Sequence, residues 1–102
     1  MREPLRYSIV GMVYCNTEQY VKDQLQPGTK LRLARDPNNK ADKFAIGIWE
    51  EDKLLGYVLK TKQAEIYRSY RANDANADIT RTIYNGRFVR SPNSGYPMIE
   101  IP

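Results

Sequence analysis

Apolar residues in this chain come in short runs that alternate with polar ones and end early at a glycine, proline or asparagine. No other feature restricts the fold as much, because a period of two buries one face of a strand and a period of 3.6 buries one face of a helix. Leu5–Tyr14 opens with Leu5, Tyr7 and Ile9 against Arg6, Ser8 and Val10 and reads as a first strand. "KLRLAR" sets Leu31 and Leu33 against Arg32 and Ala34 and reads as a second. In Lys43–Trp49, the third, Phe44, Ile46 and Ile48 take one face and Ala45, Gly47 and Trp49 the other. Lys53–Leu59 is the fourth, in which Gly56 marks a bulge or a close backbone approach. "ITRTIY" and "RFVR" flank Asn85-Gly86, the residue pair that a type I′ turn needs at two positive-φ positions, so a hairpin is predicted there. "YPMIEI" closes the chain, and Pro97 predicts a strand that starts at a sheet edge.

Two segments depart from the alternation. "NTEQYVKDQL" offers Asn16 or Thr17 as an N-cap and puts Tyr20, Val21 and Leu25 on one side of a short helix. Thr61 caps a second helix running to about Arg71, with "ANDANAD" following as a polar loop. "QPGTK", "EEDK" and "SPNSG" supply the turns. One domain over residues 1–102 follows, since the chain is too short for two ordinary ones. The expected fold is mainly β: a small OB-like or SH3-like barrel of about six strands with two short helices, because closing the sheet removes exposed edges.

Composition excludes several function classes. The chain has no histidine, which removes the commonest general base, the serine–histidine and cysteine–histidine pairs and nearly all zinc sites. The acids do not cluster as a metal-dependent nuclease would need: Glu50, Glu51 and Asp52 fall in a turn, and an Asx-turn before Pro37 accounts for Asp36. No enzyme, cofactor or metal is expected. The single cysteine, Cys15, reads as a small buried apolar residue, and with no intrachain disulfide a reducing compartment is the simpler expectation. No apolar run has the length of a membrane span, and the start of the chain is broken by Arg6, Tyr7 and Ser8, so it reads as a strand and not as a signal peptide. A soluble intracellular protein without a membrane partner is expected.

Sixteen bases against twelve acids leave a net charge of +4. The bases cluster: Lys30, Arg32, Arg35, Lys40 and Lys43 around one stretch, Lys60 and Lys62 at a helix start, and Arg81, Arg87 and Arg90 late in the chain. Tyr14, Tyr57, Tyr84, Phe88 and Tyr96 interleave with them. Cations that track phosphate beside rings that stack on bases are what single-strand binding requires. Solvated bases and rim-packing tyrosines account for the same residues equally well.

Three blocks, "SIVGMVY", "LRLARDPNNKADKFAIGIW" and "LLGYVLKTKQAEI", occur in an order that resembles the HIRAN domain family. The likeness runs from Ser8 to about Tyr70, and its middle block is the most specific. It implies an OB-like small barrel with two helices, found in helicase-like chromatin and DNA-repair translocases and as stand-alone bacterial or phage proteins. It further implies binding to the free 3′-hydroxyl end of single-stranded DNA. Carried onto this chain, the family's strand-one tyrosine is Tyr14, its loop residues are Asn39 and Asp42, and Lys60 is its helix-start lysine. Tyr57 follows Gly56 where members have histidine or tyrosine, Lys40 would neutralise a phosphate, and Phe88 or Tyr96 would be the late aromatic. Three positions depart from the pattern: Val13 stands for a basic residue, Ala41 for an aromatic and Phe44 for an asparagine.

Under this resemblance Asp42, an acceptor only, suits a hydroxyl donor and repels a 3′-phosphate. Asp42 serves equally well as a loop brace bonding the amides of Phe44 or Ala45, and Asn39 as a left-handed turn residue. A cation at Lys60 opposes the helix dipole, which favours a functional role there. The alternative to a DNA-end module is a protein-interaction module that keeps the barrel without the end pocket, with a protein partner in place of DNA.

Overall fold

The computed structural model describes residues 3–70 and 82–102, with 69 and 70 as backbone only. Six strands form: β1 (Leu5–Ser8), β2 (Lys30–Arg35), β3 (Ile46–Glu50), β4 (Lys53–Tyr57), β5 (Thr82–Arg90) and β6 (Pro97–Ile101). Three short helices accompany them: α1 (Met12–Cys15), α2 (Glu18–Asp23) and α3 (Gln63–Tyr70), the last entered through a 3₁₀ turn at Lys60–Lys62. The strands make one antiparallel sheet in the order β1-β6-β5-β2-β3-β4. The sheet curls into a half-barrel. Its two edges are drawn together where Val10, just past β1, exchanges backbone hydrogen bonds of 2.9 and 2.7 Å with Tyr57 of β4. The mainly β expectation holds, with a third helix added.

The core fills the concave side. Ile9, Leu33, Ile46, Ile48, Leu55, Phe88 and Ile99 have no exposed surface, and Val21 and Leu25 from the α2 segment and Ile66 of α3 pack onto them. Each such side chain contributes about 1.5–3 kcal/mol by leaving water. The predicted apolar faces of β2 and α2, and Ile46 and Ile48 of β3, therefore point where the periodicity put them, whereas Phe44, placed on that face, precedes the strand and is exposed. Thr17 sits at the N-cap position of α2, but its hydroxyl donates to the Leu55 carbonyl instead of capping the helix.

Several local expectations are corrected. The first strand ends at Ser8, not Tyr14, because Gly11 adopts φ +72° and turns the chain into α1. Only glycine takes that conformation freely. Asn85-Gly86 is not a hairpin turn. Neither residue has positive φ, and β5 runs through them, with Asn85 opposite Arg32 and Gly86 opposite Leu31. Gly86 serves a different need: a Cβ there would lie 2.5 Å from the Glu100 carbonyl oxygen. The hairpin into β6 turns instead at Ser91–Gly95, where Gly95 has φ +73° and its N–H donates to Ser91 O at 2.8 Å.

Pro97 opens β6 without needing an N–H, yet β6 lies between β1 and β5 in the interior of the sheet, and the edges are β1 and β4. Thr61 falls within the 3₁₀ turn, and Leu59 holds the cap position with no side-chain bond. Gly56 meets both of its readings. The β3–β4 register shifts beside it, and a Cβ would lie 2.6 Å from Val10 O. Arg71, the "ANDANAD" loop and Ile79–Arg81 lie outside the described residues.

Candidate nucleic-acid interface

The seam where β1 meets β4 gathers most of the residues singled out from the sequence. Tyr14 stands on α1 with 88% of its surface exposed. Tyr57 ends β4, and its ring and that of Tyr14 flank Gly11: a Cβ at Gly11 would lie 3.2 Å from Tyr57 Cδ2 and 3.7 Å from Tyr14 Cδ2. The Tyr57 hydroxyl donates to Asp36 Oδ2 at 2.7 Å. Burial, then the bonded Asp36 carboxylate, pushes the Tyr57 hydroxyl up to about 12, against the opposing effect of the Asn39 side chain bonded to it. Tyr57 thus ties the helix that carries Tyr14 to the loop between β2 and β3.

That loop is braced from within. Asp36, 6% exposed, accepts the Asn38 N–H at 3.2 Å in an Asx-turn. Asn39 Oδ1 accepts the N–H groups of Ala41 and Asp42, both at 3.0 Å, and Asn39 does not take the left-handed conformation considered for it. Asp42 Oδ1 accepts the Phe44 N–H at 2.9 Å, and its Oδ2 accepts from Gln63 Nε2 at 2.8 Å. The loop-brace role expected of Asp42 is therefore real. Its carboxylate is nonetheless only half-buried and holds four lone-pair sites, so acceptor capacity remains. The bond from Gln63, then that from Phe44, with Lys60 and Arg35 nearby, hold Asp42 below the usual carboxylate range. It is an anion at neutral pH, oriented from two sides and flanked by cations.

Lys40 is exposed in the loop and Lys60 at the first position of the 3₁₀ turn. Tyr96, 44% exposed, lines a cleft of about 460 Å³ with Val10, Leu59 and Met98 on the far side of the seam. Phe88 does not belong to this surface. It is wholly buried, because it lies on the concave face of β5 among the core side chains, and it presents no ring to a base. Arg90 is also spent elsewhere: its guanidinium donates to the carbonyls of Val21, Lys22 and Leu25 and caps α2. Cys15 is half-buried, and burial, then nearby Asp36, pushes its thiol up, away from the thiolate.

Three participants lay outside the residues the sequence assigned to the site: Gln63, Arg35, read only as one of a basic cluster, and Phe44, read only as a departure from the family pattern. Gln63 orients Asp42 from 21 residues away, a pairing with no local signal. Arg35 donates to Lys43 O at 2.8 Å and lies 5.0 Å over the Phe44 ring, which Lys43 approaches at 5.2 Å. Phe44 is consequently an exposed ring between two cations, held also by the Tyr67 hydroxyl at its carbonyl. Its exposure was hidden by the expectation that β3 starts at Lys43, whereas the strand begins at Ile46. Among the described residues no acidic, histidine or cysteine group has a metal-binding arrangement, and no helix is long and apolar enough to cross a membrane.

Against known proteins, the HIRAN domain family model matches residues 3–96. The crystal structure of the HIRAN domain of human HLTF is similar in fold, with a TM-score of 0.55 over 95% of this chain and 72% of that one, at 22% sequence identity. No curated protein matches the chain.

Proposed function

This chain belongs to the HIRAN domain family, and from that premise we propose that it is a non-catalytic DNA-binding module that recognises the free 3′-hydroxyl end of a single strand. The observation that carries the reading is Asp42: an ionised, half-exposed acceptor oriented by Phe44 N–H and Gln63, with Lys60 and Arg35 beside it. A carboxylate in contact with a nucleic acid is unfavourable unless the group that meets it is a donor. The terminal 3′-hydroxyl is such a donor, and a 3′-phosphate would meet like charge. Lys60, Lys40 and Arg35 balance the preceding phosphates. Tyr14 offers a ring free on most of its surface, worth about 1–3 kcal/mol when a base stacks on it. Tyr96 supplies a second ring across the seam. Asn39 and Tyr57 act through the loop they brace.

Fluorescence anisotropy with one short strand, ending in a 3′-hydroxyl or a 3′-phosphate, tests this. The hydroxyl end binds more tightly, and Asp42→Asn narrows the difference by about ten- to a hundredfold, the equivalent of a hydrogen bond to a charged group of roughly 1.5–3 kcal/mol. Equal, salt-sensitive binding of both strands by the unmutated protein would overturn the end-recognition reading. No binding at low salt would overturn the DNA reading and favour a protein partner.

A further inference from the structure

The convex face of the sheet carries a second charged feature that the seam does not use. The strand registers place Lys30, Arg87, Glu100 and Arg6 in one row across β2, β5, β6 and β1, all pointing away from the core. Glu100 is 4% exposed and is held by both neighbours: Arg6 Nε at 2.8 Å and Arg87 Nη2 at 2.6 Å. The two arginine side chains remain 50% and 61% exposed, so the carboxylate orients them without covering them. Lys30 is exposed and has no ion pair among the described residues. In the next row, Arg32 faces Asn85 on one side and Trp49 on the other, its guanidinium 5.2 Å over the indole.

Two clefts run along these rows. One, of about 760 Å³, is lined by Lys30, Asn85, Arg87 and Glu100 together with the prolines Pro4 and Pro102. The other, of about 260 Å³, is lined by Lys30, Asn85, Arg32 and Trp49, with Glu50 and Glu51 at its rim. They share Lys30, Leu31 and Asn85 and so form one continuous trough. A compact anion would occupy one end of such a trough and leave the other cations unmatched. A linear polyanion matches all of them. Three lining cations, with Arg6 beside Glu100 in the same row, face one internally neutralised acid, with only the Glu50–Glu51 rim opposing, and Glu50 already accepts the Tyr20 hydroxyl.

We propose that this convex trough is a second nucleic-acid contact, in which Lys30, Arg32 and Arg87, with Arg6 beyond the trough at the end of the same row, hold the phosphates of a single strand. It shares the ligand class of the seam reading but does not require an end pocket. Lys30 and Arg35 stand at opposite ends of β2, about 17 Å apart along the strand. A strand held at its 3′ end in the seam therefore reaches the trough only by continuing over the sheet, and a strand with no free end reaches it unaided.

The test is anisotropy on an oligothymidylate, with a 3′-phosphate or a 3′-hydroxyl, across a salt series, for the unmutated protein and the Lys30→Gln/Arg32→Gln variant. Arg87 is left intact because its loss would strand Glu100, and circular dichroism verifies the fold. Each phosphate contact in a single strand contributes about 0.7 to the slope of log affinity against log salt, so the variant should lose about 1.4 of it on both strands. The preference for hydroxyl over phosphate ends reports the seam separately. An unchanged slope with that preference intact overturns the trough and leaves the seam reading standing. A reduced slope with no end preference does the reverse. No binding of either strand overturns both.

Discussion

Replacing Tyr57 by phenylalanine removes one oxygen and, with it, the bond that joins the α1 corner to the binding loop. Asp36 is 6% exposed and accepts from the Tyr57 hydroxyl at 2.7 Å and from Asn38 N–H at 3.2 Å. After Tyr57→Phe its carboxylate keeps only the longer bond. A hydrogen bond to a charged group contributes about 1.5–3 kcal/mol, and the ring stays in place against Gly11. The expected loss at neutral pH is therefore about 2 kcal/mol. The Tyr57 hydroxyl, pushed up to about 12 by burial and then by Asp36, reports the cost of forming the phenolate and governs only the alkaline limb.

The sign follows from which form the fold prefers. A raised value means the folded state holds the neutral hydroxyl, so its contribution is fully present below the ordinary value near 10 and is lost as pH rises towards about 12. Urea unfolding followed by Trp49 fluorescence measures both effects. At neutral pH the variant should be about 2 kcal/mol less stable, roughly a 10 °C lower Tm for a chain of this size. Between about pH 10 and 12 the unmutated protein should lose stability more steeply than the variant, by up to about 1.4 kcal/mol per pH unit. Tyr7, Tyr20 and Tyr67 are also pushed up, so both proteins retain a common alkaline slope and the difference isolates Tyr57. A penalty below about 0.5 kcal/mol, with equal alkaline slopes, would refute the claim that this bond organises the loop.

Three further substitutions address the sheet. Gly86→Ala should destabilise by about 1–3 kcal/mol or more in urea unfolding, because its Cβ meets β6 backbone at 2.5 Å and not a movable side-chain end. Gly95→Ala, with nothing within 4 Å, should cost only its left-handed strain of about 1–2 kcal/mol. Glu100→Gln should flatten the acid limb of the stability curve. Bonds from Arg87, then Arg6, depress the folded carboxyl below its ordinary 4.5, so its contribution is present above that value and is lost as pH falls through the depressed one. Equal acid limbs in the two proteins would show that the Arg6–Glu100–Arg87 row is energetically idle.

What the chain determines by itself is the set of choices made within a few residues. The alternation of Leu31 and Leu33 with Arg32, and of Ile46 and Ile48 with Gly47 and Trp49, decided which face of β2 and β3 is buried, because side chains on a strand alternate whatever the strand packs against. The Asx-turn at Asp36, the Asp42 bond to Phe44 N–H and the left-handed Gly28 are equally local. The family blocks were legible for the same reason: "LRLARDPNNKADKFAIGIW" spells a strand, a braced loop and a strand in one continuous piece.

The tertiary structure decided everything that depends on a distant partner. Asn85-Gly86 carries a turn preference, but β2 pairs with both residues and holds them extended, and the missing Cβ is used against Glu100 instead. The same pairing turns Phe88 inward and removes it from any binding surface. Pro97 signals only that its N–H is absent, not which strands flank it. Gln63 reaches Asp42, Tyr57 reaches Asp36 and Arg90 reaches α2 across 21, 21 and some 65 to 69 residues. Backbone preferences act over a turn or two, whereas these contacts exist only once the sheet has curled and brought β1 to β4, which is why the seam and the convex trough are properties of the fold and not of any segment.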